Sequence, residues 1–216
     1  MKLAFFITGT DTGVGKTYVA CQLLRQYAAQ GLKVVGMKPV AAGRELIHGK
    51  WQHDDVQKLI AASNVAAPLE WVNPYCFDEA IAPHIAAEKA GVEIKIDVIL
   101  QAYQQLSELA DVVIVEGAGG FLVPLNDKET LADLVAALHI PVIVVVGVKL
   151  GCINHTLLTV EAITARGLRL HGWVANHIDL KMEAAEENVA TLIKRLGAAP
   201  MLALGPEIGL GQAKKI

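Results

Sequence analysis

The chain has 216 residues, a formal net charge of −3, 53% hydrophobic residues and only 5% aromatics. That length suits one α/β domain spanning residues 1–216, and the apolar content argues against disorder. With no basic face in view, a nucleic-acid backbone is a poor partner.

The predicted elements alternate. Leu3–Thr8 reads as a first strand and Lys16–Gln30 as a helix, with Val19, Leu23, Leu24 and Tyr27 on one face and Gly31 as its stop. Lys33–Met37 is a second strand, and Asp54–Ala62 and Asp97–Leu109 are helices. Val112–Val115 is a strand, Thr130–Leu138 a helix, and Pro141–Val146 a strand of almost pure β-branched residues. Thr156–Arg166 is a helix stopped by Gly167, Leu170–Ala175 a strand, Glu183–Leu196 a helix and Pro200–Leu204 a short last strand. Strands separated by helices imply βαβ units and a parallel sheet. The crossovers should be right-handed, with ligands at the strand carboxyl ends. The polar, Gly-containing stretch Ala41–His53 reads as a flexible loop near that edge.

Cys21, Cys76 and Cys152 are far apart and form no CxxC motif, which suits a reduced, cytoplasmic protein. The apolar start behind Lys2 ends within a few residues in a Gly/Thr loop, so it reads as a strand and not a leader. Ile140–Val148 is too short to cross a bilayer and contains Pro141; no membrane partner is expected.

The first strand runs into Gly9-Thr10-Asp11-Thr12-Gly13-Val14-Gly15-Lys16-Thr17 and then a helix. This is a phosphate-cradling loop in its proper setting. Gly13 and Gly15 can adopt backbone angles closed to other residues, and their amides, with those of the helix start, face an anion. Lys16 would reach the β- and γ-phosphates and the Thr17 hydroxyl a Mg²⁺ ion. Tyr18 follows on the same helix. The first glycine, Gly9, lies one residue earlier than the usual spacing sets it, so the loop is one residue longer.

Val112–Val115 ends in Glu116-Gly117-Ala118-Gly119-Gly120. A carboxylate at a strand end beside a phosphate loop supplies a second Mg²⁺ contact; the alternative is a carboxylate capping a tight turn. Lys38, ahead of Pro39, either sits over the phosphates or is a solvated loop lysine. Asp54 and Asp55 open a helix, where capping explains one of them and a metal contact the other. Gly151-Cys152-Ile153-Asn154 opens a helix whose free amides suit a carboxylate, or else forms an ordinary turn with Asn154 as cap. Asn176, followed by His177, either meets an adenine edge with its donor and acceptor or is a turn asparagine. The seven histidines show no metal spacing; His84 and His155 fall in candidate site loops.

Together these pieces resemble the dethiobiotin synthetase family, ATP-dependent ring-closing ligases of biotin synthesis. GTDTGVGKT, GMKPVAAG, NPYCF, APHIAA, VEGAGGFLVPL, VVGVKLGCINH and GWVAN carry the resemblance, which spans nearly the whole chain. It implies a P-loop NTPase-like, doubly wound, mostly parallel α/β sheet with helices on both faces, assembled as a homodimer. The implied substrates are 7,8-diaminononanoate, CO₂ or bicarbonate, and ATP with Mg²⁺. One amine would form a carbamate, the carbamate would take the γ-phosphoryl group, and the second amine would close the ring. On this resemblance Lys16, Lys38 and Thr12 act at the carbamate and the transferring phosphoryl group. Thr17, Asp55 and Glu116 hold Mg²⁺. Gly13 to Tyr18, Glu116 to Gly119, Asn176, His177 and Gly205-Pro206-Glu207 contact nucleotide. Gly151 to Asn154 of a partner subunit receive the substrate carboxylate. Gly13 stands where some members have Glu, and Ala42 where a Ser is often found. Two rivals share the loop. Partition-type switch ATPases carry a lysine at the position of Asp11, and amidotransferase-like synthetases need a glutaminase domain for which 216 residues leave no room.

Overall fold

A computed structural model describes residues 2–47 and 49–205. Its central sheet has six strands in the order β10-β9-β8-β1-β7-β2, every neighbouring pair parallel. These are β1 (Leu3–Gly9), β2 (Val34–Met37), β7 (Val112–Glu116), β8 (Val142–Gly147), β9 (Leu170–Asn176) and β10 (Leu202–Leu204). β1, β7 and β8 are buried on both faces, which explains their unbroken apolar sequences.

Side chains alternate across the sheet and feed two cores. Phe5, Ile7, Val112, Ile114, Ile143 and Val145 pack under α1 (Lys16–Ala29) and the Leu59 side of α2 (Asp54–Ala62). Phe6, Val113, Val115, Val144 and Val146 face the other core, which α5 (Ile96–Leu109), α6 (Leu131–Leu138), α7 (Cys152–Ala165) and α8 (Ala185–Leu196) cover. The expected doubly wound α/β architecture is therefore present. The β7 and β8 strands flank β1, so the phosphate loop emerges between their carboxyl ends.

Predicted elements match within about one residue except at α7, α8 and β10, whose strand begins at Leu202, two residues after the predicted Pro200. The α7 helix begins at Cys152, one turn before Thr156, because Gly151 turns the chain at φ 92°. Asn154 is thus inside the helix and does not cap it. The α8 helix starts at Ala185. The stretch Ala41–His53 is not a plain loop. It completes β3 (Val40–Ala42) and then forms an antiparallel hairpin of β4 (Glu45–Ile47) and β5 (Lys50–Gln52). Three further elements were not predicted: α3 (Leu69–Val72), β6 (Tyr75–Phe77), which pairs with β3, and α4 (Pro83–Lys89). Among the described residues no helix is long and apolar enough to cross a membrane, and Cys21, Cys76 and Cys152 are free.

Candidate active site

The phosphate loop is shaped by a close approach. Gly15 has φ 92°, and a Cβ there would lie 2.3 Å from Asn176 Nδ2. Only glycine satisfies both conditions. The same amide donates to the Val14 carbonyl at 2.9 Å, so β9 clasps the loop from its far side. Gly119, at φ 64°, would carry its Cβ 3.6 Å from Thr12 Oγ1, which brings the Gly117–Gly120 turn against the loop's near side.

A cleft of about 800 Å³ opens at this edge. Thr12, Gly13, Gly15, Lys16, Thr17 and Tyr18 line it, together with Lys38, Asp55, Glu116, Ala118 and Gly119. Its outer wall is apolar, built from Val40, Ala41, Ala42 and Ala80–Pro83. A smaller hollow of about 230 Å³ lies at the other end of the sheet, between Leu3, Tyr103 and Val113, and contains none of the predicted site residues.

Lys38 is the centre of the charge arrangement. Its buried ammonium donates to Glu116 Oε1 at 2.6 Å, Asp55 Oδ2 at 2.9 Å and the Gly117 carbonyl at 3.3 Å. The solvated-loop alternative is excluded: Lys38 is 4% exposed. Burial alone would lower its pKa, but Glu116 and Asp55 outweigh that and hold it above the ordinary lysine value. Asp55 is likewise pulled below the usual carboxylate range: burial opposes the shift, and Lys38 and the Thr17 hydroxyl overcome it. Thr17 Oγ1 donates to Glu116 Oε1 at 2.8 Å, while Glu116 Oε2 is buried with no hydrogen-bond partner among the described residues. The strand-end carboxylate thus lines the cleft, bonded to Thr17 and Lys38, and caps no turn amide among the described residues.

Lys16 differs. It is 7% exposed, and its ammonium rests on the Asp11 carbonyl at 2.9 Å. Burial and the nearby Lys38 charge lower its pKa to about 8. Of the helix-opening pair, Asp54 lies at the surface against Lys58, so Asp55 is the one that enters the site.

The remaining predicted residues form two further groups. Asn176 and His177 end β9, where the His177 amide donates to the Leu204 carbonyl at 2.8 Å and a Cβ built on Gly205 would lie 3.7 Å from His177 Cβ. Pro206 and Glu207 lie outside the described residues. Gly151, Cys152, Ile153 and Asn154 open α7 and do not line the cleft. His84 and His155 are on helices α4 and α7, not in loops.

Two supporting residues beside the cleft were not among those predicted. Asn73 is buried and donates to the carbonyls of Lys38 (2.6 Å) and Tyr75 (2.9 Å), fixing the backbone from which Lys38 projects. Its signal was present in the NPY run. Lys149 pairs with Asp11 at 2.8 Å across 138 residues, and nothing local to either residue announces it.

The chain matches the family described as AAA domain over residues 4–209. It is 55% identical over 206 residues to the ATP-dependent dethiobiotin synthetase BioD of Nitrosospira multiformis, covering 95% of this chain and 89% of the relative. It is 53% identical to the protein of the same description from Aromatoleum aromaticum, covering 95% and 91%. The chain belongs to the dethiobiotin synthetase family. Among solved structures, the MinC:MinD cell division protein complex of Aquifex aeolicus superposes with TM-score 0.58 at 16% identity, covering 95% of this chain and 83% of that one. A ParA family ATPase from Chlorobium tepidum also gives 0.58, at 14% identity and 95% and 85% coverage. At such identities the likeness is one of fold alone.

Proposed function

We propose that this chain joins 7,8-diaminononanoate and CO₂ into dethiobiotin at the expense of ATP. One substrate amine attacks CO₂ and loses a proton, leaving a carbamate. A carbamate oxygen attacks the γ-phosphorus, ADP departs, and a carbamic–phosphoric anhydride remains. The second amine attacks its carbonyl carbon and loses a proton, phosphate leaves with the electron pair of the broken C–O bond, and the ureido ring closes.

The observation that carries this reading is Lys38, held between Asp55 and Glu116 across the cleft from the phosphate loop in a chain 55% identical to a dethiobiotin synthetase. The reaction needs an anion positioned in line with a phosphoryl group, and the protein's task is charge and alignment. Lys16 meets the β- and γ-phosphates from the loop side. Lys38 faces the carbamate and the transferring phosphoryl group, where preorganised fixed charge has most effect. The Thr12 hydroxyl, at the cleft mouth, assists at the carbamate. The diamine supplies the nucleophile, so no serine or cysteine is required. The apolar wall at Val40–Ala42 suits the substrate's alkyl chain. Ala42 brings no hydroxyl to it.

The residues present fit a Mg²⁺ ion. Two carboxylates and one hydroxyl are hard oxygen donors, too few for a closed cage and right for an ion that keeps phosphate and water. Glu116 Oε2, without a hydrogen-bond partner among the described residues, is an oxygen free to ligate the ion. Thr17, Asp55 and Glu116 would hold the ion, which neutralises phosphate charge when bound. Asn176, His177 and Gly205 are assigned to the adenosine end. Nδ2 of Asn176 is engaged with Val14, so its Oδ1 would face the base.

The reading includes a cytoplasmic homodimer of one-domain subunits. The turn at Gly151–Asn154 is separate from the cleft, and Leu150 beside it is 89% exposed. A partner's substrate carboxylate at the α7 amides accounts for both. The partition-ATPase alternative has Asp11 where its lysine belongs, and that carboxylate is already paired within the chain. Incubation with diaminononanoate, bicarbonate and MgATP should yield dethiobiotin, ADP and phosphate by mass spectrometry. A folded protein that forms no product would refute the proposal.

A further inference from the structure

Asp11 and Lys149 stand outside the lining of the cleft and have no part in the chemistry above. Lys149 Nζ donates to Asp11 Oδ2 at 2.8 Å, and Asp11 Oδ1 accepts the Thr12 amide at 2.7 Å. The carbonyl of the same residue accepts Lys16 Nζ at 2.9 Å. Asp11 thus orders two neighbours on the phosphate loop and ties the loop to the turn that opens α7.

Stability is a poor explanation for this pair. Both side chains are over a third exposed, 36% for Lys149 and 42% for Asp11, and exposed ion pairs contribute little. Electrostatics at the loop offers a better one. The loop gathers amide dipoles and Lys16 around an anion. A carboxylate five residues before Lys16 is a like charge beside that anion, and on its own it would weaken the grip. Lys149 sits within hydrogen-bond distance and cancels it. Lys149 also holds the Asp11 carboxyl below its ordinary pKa, with the Thr12 amide second, so the carboxylate stays charged and needs its counter-ion.

We infer that Asp11 and Lys149 are a positioning pair for the triphosphate: Asp11 fixes the Thr12 amide and the resting place of Lys16, and Lys149 removes the repulsion that this carboxylate would exert on the phosphates. The inference rests on reading the cleft as an ATP site. It predicts an asymmetry. Loss of Lys149 leaves a bare carboxylate beside the phosphates, whereas loss of both charges does not. A simple clasp between two loops would make the double variant no better than the single one.

The test uses the full chain and a non-hydrolysable ATP analogue with Mg²⁺, titrated calorimetrically, beside kcat and KM for ATP in dethiobiotin formation. Lys149→Met should raise the analogue's Kd and the KM for ATP about five- to tenfold, the scale of one uncompensated charge near the anion, with kcat within about twofold. Lys149→Arg should behave as the parent. Asp11→Asn combined with Lys149→Met should bring Kd back to within about twofold of the parent. An unchanged Kd in Lys149→Met, or a double variant as weak as the single, would overturn the inference. Should Lys149→Met fail to fold by melting curve, Asp11→Asn alone decides: binding at least as tight as the parent supports the pair, and weaker binding overturns it. A parent that binds the analogue but forms no dethiobiotin would sink the proposed function and leave the Kd comparison valid. A parent that binds no nucleotide would sink both.

Discussion

Replacing Lys38 by Met tests the centre of the site. The substitution keeps the length of the side chain and removes its charge. Glu116, whose side chain is 1% exposed, and Asp55, at 30%, then share a site with no ammonium between them. Breaking a buried pair from one side costs about 3–5 kcal/mol, because the remaining charge is buried without compensation. For a chain of this size each kcal/mol moves the melting temperature by about 2–4 °C, so a fall of roughly 6–20 °C is expected. Turnover should fall on the order of 10²- to 10³-fold, as when one preorganised donor to a developing charge is lost. Differential scanning fluorimetry and a mass-spectrometric dethiobiotin assay measure the two effects. They can be separated: adding Glu116→Gln should recover part of the melting temperature and none of the turnover. Mg²⁺ should also raise the melting temperature of Lys38→Met more than that of the parent, because a ligand stabilises in proportion to its occupancy of the folded state. A variant that melts with the parent would refute the buried ion-pair geometry. One that melts low but turns over normally per folded molecule would remove Lys38 from the chemistry.

The loop and its lysine yield two further predictions. Gly15→Ala should abolish nucleotide binding in titration calorimetry, since its Cβ would lie 2.3 Å from Asn176 Nδ2 at φ 92°; binding within a few fold of the parent would show that the loop can be reshaped. Lys16, with its pKa lowered from 10.5 to about 8, destabilises the folded chain below pH 8, where the unfolded chain keeps the proton more readily. That penalty is relieved between about pH 8 and 10.5, so the parent should gain stability with pH relative to Lys16→Met, by up to about 3 kcal/mol. Urea unfolding of both proteins at about pH 7.5 and 9.5 reads this gain, and a constant difference would refute the depressed pKa.

The sheet was legible because buried parallel strands are written as unbroken apolar runs. Val112–Val115 and Val142–Val146 could hardly be anything else. The region from Asn64 to Lys95 was not. Its elements are three to seven residues long, between Pro68, Pro74 and Pro83, and too short to display a period. The β4–β5 hairpin was hidden for a different reason: its Leu46 and Trp51 face each other across strands but remain exposed, so no apolar alternation toward a core marks it. The same division holds in the site. Gly13, Gly15, Lys16 and Thr17 are neighbours in sequence and announce themselves. The partners of Lys38 are 17 and 78 residues away and that of Asp11 is 138, distances at which only the folded chain decides who meets whom.

From the sequence, Lys16 and Lys38 look like two copies of one device, cations that neutralise a phosphoryl group. Their surroundings make them different. Both are buried, but Lys38 faces two carboxylates and its pKa rises, while Lys16 faces a backbone carbonyl and a second ammonium and its pKa falls to about 8. Environments that push a pair of like groups apart divide a task between them. Among the described residues Lys16 has no anionic hydrogen-bond partner, and the charges of Glu116, Asp55 and Asp11 do not offset its burial and Lys38, so an arriving triphosphate would give it its first directly bonded counter-charge. On the proposed function this part of its contribution would be to binding. Lys38 is committed to Asp55 and Glu116, and can turn to the substrate only as those carboxylates find other positive charge. On the proposed function its contribution would therefore depend on the site being fully assembled, which is the property a phosphorylating ligase needs if it is to avoid spending ATP on water.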